Sequence, residues 1–301
     1  MGSRNKYDGV NSIAFNRHFK SDEDCIRYIA DIKWEQGYTC KGCGNEKYIN
    51  GSKPYNRRCL KCKYDESATA GTMFDKVKFS LLVAFHIIFK VVTKKKGMST
   101  LELGREFGLR QKTCWAFKWK IQQAMKSSMQ HPLTGLVHVD EFWVGGPEEQ
   151  KRGRFIGSKK QIVVALEIVK GGVGRGYAEV IEHASSVELG AFLNKYVSTE
   201  AQVIADEWKG YTPLKKQYSK LEQITSDDAK NFKDIHLHIM NIKGWLRGIH
   251  HHCSKKYIQC YLDEYHYRYN RRNSMGSMFD LLLKKMVSNP PKRLLLRFLK
   301  G

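Results

Sequence analysis

The 301-residue chain has no apolar run long enough to cross a bilayer. The best candidate, residues 79–92, is short and broken by His86 and Lys90, so a core helix is expected there. The opening residues, Met1-Gly2-Ser3-Arg4-Asn5-Lys6, are polar, and no signal peptide is expected. A basic amphipathic helix of the membrane-surface kind is also missing. Internal repeats are absent. Acid is scarce: 30 Asp and Glu stand against 52 Lys and Arg, a net charge of +22 with His neutral. The excess is spread along the chain, which points to a polyanionic partner, most simply nucleic acid, and to no membrane partner. Eight cysteines in such a chain argue for metal ligation before disulfides.

Four of the cysteines carry a motif. Cys40-Lys41-Gly42-Cys43 is followed, after fifteen residues, by Cys59-Leu60-Lys61-Cys62. Two such knuckles at this separation form a zinc ribbon, with four thiolates around one tetrahedral Zn²⁺. The stretch 48–56, with Asn50-Gly51 and Pro54, reads as a hairpin between them. Arg57, Arg58, Lys61 and Lys63 fit phosphate contacts or a solvated face equally well. Before the ribbon, residues 22–34 read as a helix with Ser21 as N-cap.

Residues 79–127 read as three helices. The second, 98–107, has Ser99 as N-cap and Glu102 at the capping-box position. Gly108 breaks it, and a third helix follows over 111–126. Helix, glycine turn, helix is the helix-turn-helix pattern. Arg110, Lys112, Lys118 and Lys120, interleaved with Trp115, Phe117 and Trp119, are the candidate DNA contacts. Aromatics at helical spacing also fit a plain packed hairpin.

Residues 136–146 read as a strand rich in β-branched and aromatic residues that carries Asp140 and Glu141. A carboxylate inside a strand is costly unless paired or bound to a metal. Residues 201–211 repeat the design: Val203-Ile204-Ala205, then Asp206-Glu207-Trp208, then Gly210. Two strand-borne aspartates about sixty residues apart suit a two-metal phosphoryl-transfer site holding Mg²⁺ or Mn²⁺. Between them, residues 147–160 read as a mobile basic loop. Residues 161–169 and 176–182 read as antiparallel strands joined by Lys170-Gly171-Gly172-Val173-Gly174. Residues 186–196 read as a helix and 223–225 as a last short strand. Three strands, a helix and a strand ending in Asp follow the order of an RNase H-like fold. A further helix capped by Ser254 is expected to run through Tyr269.

The chain resembles bacterial insertion-sequence transposases of the ISXO-two-like group, within the wider DDE transposase superfamily. The resemblance rests on His138-Val139-Asp140-Glu141 with Val144-Gly145-Gly146, and on Asp206 with Gly210-Tyr211. It rests equally on Trp245-Leu246-Arg247-Gly248 with His251, His252 and Ser254, on Tyr261-Leu262-Asp263-Glu264-Tyr265, and on Arg268-Tyr269-Asn270-Arg271-Arg272. It implies a transposase that binds terminal inverted repeats, cleaves DNA with a divalent metal and transfers the strand. It implies a cytoplasmic, nucleoid-associated protein working as a dimer or larger on double-stranded DNA, both element ends and target. The wider superfamily carries Glu as its third metal residue about 35 residues after the second Asp. Here Asn241 stands there, with Lys243 two places on, as in an Asp-Asp-Asn-Lys subgroup. Asn241 would be a neutral oxygen ligand, and Lys243 and Arg247 phosphate contacts. Asn241 as a helix cap and Asp263 or Glu264 as a third carboxylate are competing readings, and His236, His238 and His250-His251-His252 fit phosphate contact or loop ordering better than a second zinc.

The expected architecture is α/β: an RNase H-like mixed sheet with flanking helices, preceded by a small zinc ribbon and a helix-turn-helix region. The expected segments are 1–75, helix and ribbon; 76–130, helix-turn-helix; 131–275, catalytic domain; and 276–301, a helical tail. A non-catalytic DNA-binding regulator and an RNase H-like structure-specific nuclease are the rival functions.

Overall fold

The computed structural model describes residues 6–145, 159–227, 230–250 and 253–290. They fall into two units, residues 1–125 with 273–301, and residues 126–272. The first unit begins with α1 (Ser12–His18) and α2 (Asp22–Lys33). Ser21 caps α2 in a full capping box with Asp24, which satisfies donors at both ends of the first turn. Three short antiparallel strands follow, β1 (Tyr48–Asn50), β2 (Arg57–Cys59) and β3 (Asp65–Glu66). Then come α3 (Leu81–Thr93), α4 (Thr100–Phe107) and α5 (Gln111–Met125).

Helix α3 is apolar almost all round, and seven of its thirteen residues are buried, as a central helix requires. Its neighbours are aromatic. Phe15 stacks on Phe89 at 4.2 Å, and Phe19, Phe85 and Phe279 meet edge-on or tilted around it. Phe279 belongs to the C-terminal helix Met278–Ser288, which packs against α2, α3 and α5. The stretch expected to form a tail of its own therefore completes the N-terminal core. Its apolar stripe, Met278, Phe279, Leu282, Leu283 and Met286, is the physical reason. Among the described residues no helix is long and apolar enough to cross a membrane.

Gly108 ends α4 in the left-handed region, at φ 64°. A side chain at Gly104 would meet the Leu109 carbonyl at 2.8 Å, so the turn into α5 closes over a bare backbone. Ser99 caps α4, but the Glu102 carboxylate turns away to Lys94 at 3.0 Å, leaving only half of the expected capping box. Two of the four expected DNA cations on and before α5 are committed to the interior. Lys118 is 2% exposed and donates to the Met98 carbonyl at 2.6 Å. Lys120 donates to the carbonyls of Met73 and Asp75, and burial lowers its pKa. Helical spacing sets Lys118 beside buried Cys114, Phe117 and Ile121. Arg110 and Lys112 are exposed.

The second unit is a five-stranded sheet in the order β6-β5-β4-β7-β8. Its strands are β4 (Leu136–Val144), β5 (Lys160–Val169), β6 (Gly172–Ile181), β7 (Gln202–Ala205) and β8 (Leu221–Gln223). Neighbours β6, β5 and β4 run antiparallel, whereas β4, β7 and β8 run parallel. Helix α6 (Ser186–Tyr196) covers one face, packing Leu189, Phe192 and Leu193 on Val137, Val139, Val163 and Val203. Helices α7 (Lys233–Ile249) and α8 (Lys255–Tyr269) cover the other, over Phe142, Ile162, Val164 and Ile204. This is the RNase H-like mixed sheet with flanking helices. The loop expected over 147–160 lies almost wholly outside the described residues.

One boundary differs. Residues 170–174 are not a loop: β5 and β6 pair up to Val169 and Gly172, and the turn is Lys170-Gly171 alone. Beyond it, Gly174 serves packing. The Glu167 carboxylate, at a register shift in β5, accepts from the Arg175 amide and fills the space a side chain at Gly174 would need. Strand β6 is an edge, and α8 with the residues after it covers it. Gln259 bonds Val180 N and Ala178 O, Asn270 bonds Gly176 N and O, both at 2.9 Å, and Arg272 bonds Val173 O. Ser254 precedes α8 without a side-chain capping bond.

Lys118→Met is expected to lower the unfolding free energy by about 1–3 kcal/mol, since it leaves the Met98 carbonyl short of a buried donor. Lys112→Met should stay within about 0.5 kcal/mol. Denaturant titration of both variants is the measurement, and equal losses would deny Lys118 its interior role.

Candidate functional site

Strands β4 and β7 run parallel with His138 opposite Ile204. Two residues further along, that register sets Asp140 opposite Asp206. Both lie on the sheet face covered by α7, because side chains alternate and Phe142 and Ile204 face that way. Burial raises the pKa of Asp140 first of all. The Glu141 amide, 2.7 Å from Oδ1, and His236 oppose that rise, and the charge of Asp206 adds to it. His236, on α7, places Nε2 3.1 Å from Asp140 Oδ2. Asp206 Oδ1 accepts the Trp208 amide at 3.0 Å.

Glu141 points to the opposite face. Its carboxylate accepts a hydrogen bond from the hydroxyl of Tyr211, which is wholly buried. Burial pushes the Glu141 carboxyl up to about 7, the Tyr211 bond lowers it, and the charges of Asp140 and Asp206 raise it further.

The other expected residues of the tail are spread around α7 and α8. Lys243 lies on the same flank of α7 as His236, seven residues on, with Nζ 5.4 Å from the centre of the Phe142 ring. Asn241 is exposed, and at about 100° per residue it sits roughly 140° around the helix from His236. The structure thus brings His236, rather than Asn241, onto Asp140. Arg247 is exposed and its Nε donates to Lys243 O. Asp263 and Glu264 stand on α8 at the β6 edge, two strands from Asp140. Burial lifts the Asp263 carboxyl to about 6, while its bond from Gln259 works against that. His238 meets His266 at 3.2 Å, and His250 stacks on Tyr261 at 3.7 Å. His251 and His252 lie outside the described residues.

His236 entered the sequence reading as one of several histidines, for a second zinc or for phosphate contact or loop ordering. Its signal was its place beside the buried stripe of Ile235, Ile239 and Ile242, on the flank shared with Lys243. Neither the Glu141–Tyr211 pair nor the cleft beside Trp208 was expected.

In the first unit, Cys40, Cys43, Cys59 and Cys62 converge with their four sulfurs within 4.8 Å of one another. Cys40 and Cys43 come from the first knuckle, and Cys59 and Cys62 from the second, at the end of β2. The Gly42 backbone amide donates to Cys40 Sγ at 3.4 Å, and the Asn45 side-chain amide Nδ2 donates to Cys59 Sγ at 3.5 Å. Burial works against ionisation of Cys59, yet the amides of Cys62 and Lys61 bring it down to about 6. Neighbouring sulfurs push Cys62 up to about 12 despite the Tyr64 amide. Four sulfurs that converge this closely fit a bound cation, and a Cys₄ donor set fits structural Zn²⁺. Of the flanking cations, Arg57 is held between Tyr48 and Trp34, 4.1 and 4.4 Å from their ring centres, and Arg58 faces Asp65 at 3.5 Å.

The strand order, with Asp140 on β4 and Asp206 just past the end of the parallel β7, resembles that of DDE transposases. Residues 132–270 match the family model described as ISXO2-like transposase domain. A protein of Halobacterium salinarum, described as an uncharacterized protein in transposable element ISH50, is 22% identical over 275 residues. That match covers 83% of this chain and 91% of that protein. Among solved structures, the Mos1 transposase paired-end complex with left transposon end is 11% identical and covers 67% of this chain and 78% of that one, at a TM-score of 0.30. A pre-cleavage Mos1 transpososome is 12% identical and covers 95% and 98%, also at 0.30. Superpositions that loose carry no weight beside the strand order and the family match.

Two measurements follow from this geometry. Metal analysis should find one Zn²⁺ per chain, with Cys43→Ser lowering the content. Chelation should destabilise the N-terminal unit, since zinc binding there is folding free energy; unchanged zinc in Cys43→Ser would move the metal elsewhere. The second concerns Glu141. With its folded pKa at about 7 against an ordinary 4.5, the folded protein holds a proton that the unfolded chain releases. Stability is then full below about pH 4.5 and falls as pH rises toward 7. Glu141→Gln keeps an acceptor for Tyr211 and removes the titration. Without added divalent metal it should match the parent at pH 4 and exceed it at pH 8, by on the order of 2 kcal/mol.

Proposed function

We propose that this chain is a transposase that binds the terminal inverted repeats of an insertion sequence, cleaves DNA there and joins the freed strand to a target. The observation that carries the reading is the pair Asp140, on β4, and Asp206, just past the end of the parallel β7, where the charge of Asp206 helps raise the Asp140 carboxyl. Two carboxylates that repel at a sheet end fit a divalent cation, Mg²⁺ or Mn²⁺, whose charge would relieve the repulsion. Such ions stabilise attacking and leaving oxygens in phosphoryl transfer.

In the first reaction, a water oxygen bonds to phosphorus, the bond to the 3′-oxygen breaks, and that oxygen leaves protonated as a 3′-hydroxyl. In the second, the 3′-hydroxyl attacks a target phosphodiester, and a target oxygen leaves in its place. Asp140 and Asp206 would hold the cations. His236, in contact with Asp140, orients that carboxylate or supplies the third donor. Lys243, on the same flank of α7, offers a point charge for a phosphate beside the scissile one. Asn241, the third donor by resemblance, would need to reach the aspartates from the other flank. Arg110 and Lys112, exposed at the start of α5, and Arg247 on α7 are the proposed DNA contacts. Paired ends call for at least a dimer on DNA.

The test is cutting of a duplex that carries the DNA flanking the reading frame, with Mg²⁺. Asp140→Asn and Asp206→Asn should each lose cutting while end binding persists; retained cutting in either removes the site. His236→Ala should lose more than Asn241→Ala. The reverse order would hand the third position to Asn241. Lys112→Ala should weaken binding with a salt slope about one unit shallower, and Lys118→Met should leave the slope alone.

A further inference from the structure

On the α6 side of the same sheet end lies a cleft of about 520 Å³, lined by Trp143, Gln161, His183, Ser185, Trp208 and Lys209, among others. That volume is within the roughly 300–1,000 Å³ of small-ligand sites. Two tryptophans open onto it, 37% and 43% exposed. Trp143 sits three residues beyond Asp140 on β4, paired across the sheet with Gln161. Trp208 sits two residues beyond Asp206. Large aromatic faces left in water at a concave site are unusual unless something covers them.

Trp208 is held in place by two hydrogen bonds. Asp206 Oδ1 accepts its backbone amide at 3.0 Å, and its indole Nε1 donates to the Ala184 carbonyl at 2.7 Å. A side chain at Gly210 would meet that same Nε1 and that same carbonyl, each at 2.7 Å, so Gly210 makes room for the indole. The carboxylate assigned to the cation thus also anchors the ring at the cleft. Lys209 adds a cation beside it, its Nζ 5.9 Å from the Trp208 ring centre.

We propose that this cleft receives one unstacked nucleobase of the DNA strand next to the scissile phosphate, stacked on Trp208 and Trp143, with Lys209 toward its phosphate. The inference rests on the reading of the Asp140–Asp206 site as a DNA-cutting centre. A flat apolar face suits any base, and a nearby cation suits the backbone that carries it. In a chain of net charge +22, a nucleic-acid strand matches the cleft better than a neutral ligand. Base stacking here would fix the strand's advance past the carboxylates, and that is a positioning role.

The test uses the full chain and two probes, a mixed-sequence single-stranded 12-mer and the same backbone with abasic sites throughout, without Mg²⁺. The base-bearing strand should bind at least about fivefold more tightly. Trp208→Ala and Trp143→Ala should each erase most of that preference and leave the salt-dependent affinity for the abasic strand unchanged. Trp208→Phe, which keeps an aromatic face, should retain it and so guards against misfolding of the alanine variant. Equal affinity of the parent for both probes, or full preference in both alanine variants, overturns the proposal. A parent that prefers bases yet never cuts with Mg²⁺ removes the proposed function and leaves the cleft standing. A parent that cuts without base preference does the reverse.

Discussion

The pairing of β4 with β7 is the constraint on which the second unit depends. A parallel pair cannot be closed by a tight turn, so β5, β6 and α6 must intervene between the two strands in sequence. Shifting the register by one residue would turn Asp206 to the α6 face and send Ala205 toward α7. The apolar residues hold that register. Val137, Val139, Val203 and Ala205 pack under α6, and Phe142 and Ile204 pack under α7. The sheet core thus forces two like charges together at its end, where desolvation and mutual repulsion already lift the Asp140 carboxyl. Hydrophobic burial over the whole sheet outweighs that local cost, which is how strain of this kind persists at a site.

The end of α8 and the residues after it, which the resemblance rests on, close an edge. Arg268-Tyr269-Asn270-Arg271-Arg272 is polar and aromatic, the composition of a binding segment. Asn270 and Arg272 bond to the backbone of β6, as Gln259 does about three turns earlier. An uncovered β6 would present a row of free amides and carbonyls for another chain to pair with. Gly176 belongs to the same device. Gly176 leaves room for His238, whose Nε2 would lie 3.3 Å from a side chain there, and the Asn270 amide reaches both backbone groups of that residue.

Legibility followed period and chemistry. Four cysteines in two knuckles read out their own cluster, because only thiol donors at that spacing converge so. The α6 helix and the β4 strand showed in their apolar periods, and Asp140 and Asp206 in being acids where acids are costly. Three features escaped for physical reasons. Gly172 and Gly174 look like a loop because glycine serves turns, but both lie within β6, and Gly174 yields space to Glu167. Lys118 and Lys120 look solvated because they are charged, yet long side chains can bury their stems and end on carbonyls. The C-terminal helix looks separate because nothing local reveals that Phe279 meets Phe15 and Phe85. Long-range packing has no signature in the spacing of one segment.

The two Asp-Glu-aromatic motifs read alike, and the sheet makes different use of them. In β4 the strand continues past Asp140, so alternation sends Glu141 to the α6 face, where Tyr211 meets it, and Trp143 further along the same face. In β7 the strand stops at Ala205, so Asp206 starts a turn and its own carboxylate captures the Trp208 amide. Glu207 is left exposed. Both routes end with an aspartate on the α7 side and a tryptophan on the α6 side. The sheet end therefore joins two environments across a single layer of backbone, a charged one and an aromatic one. A nucleic-acid strand has the same two components, phosphate and base, a fixed short distance apart. The match of that division to the two faces is the strongest reason to treat the carboxylates and the tryptophans as parts of one site.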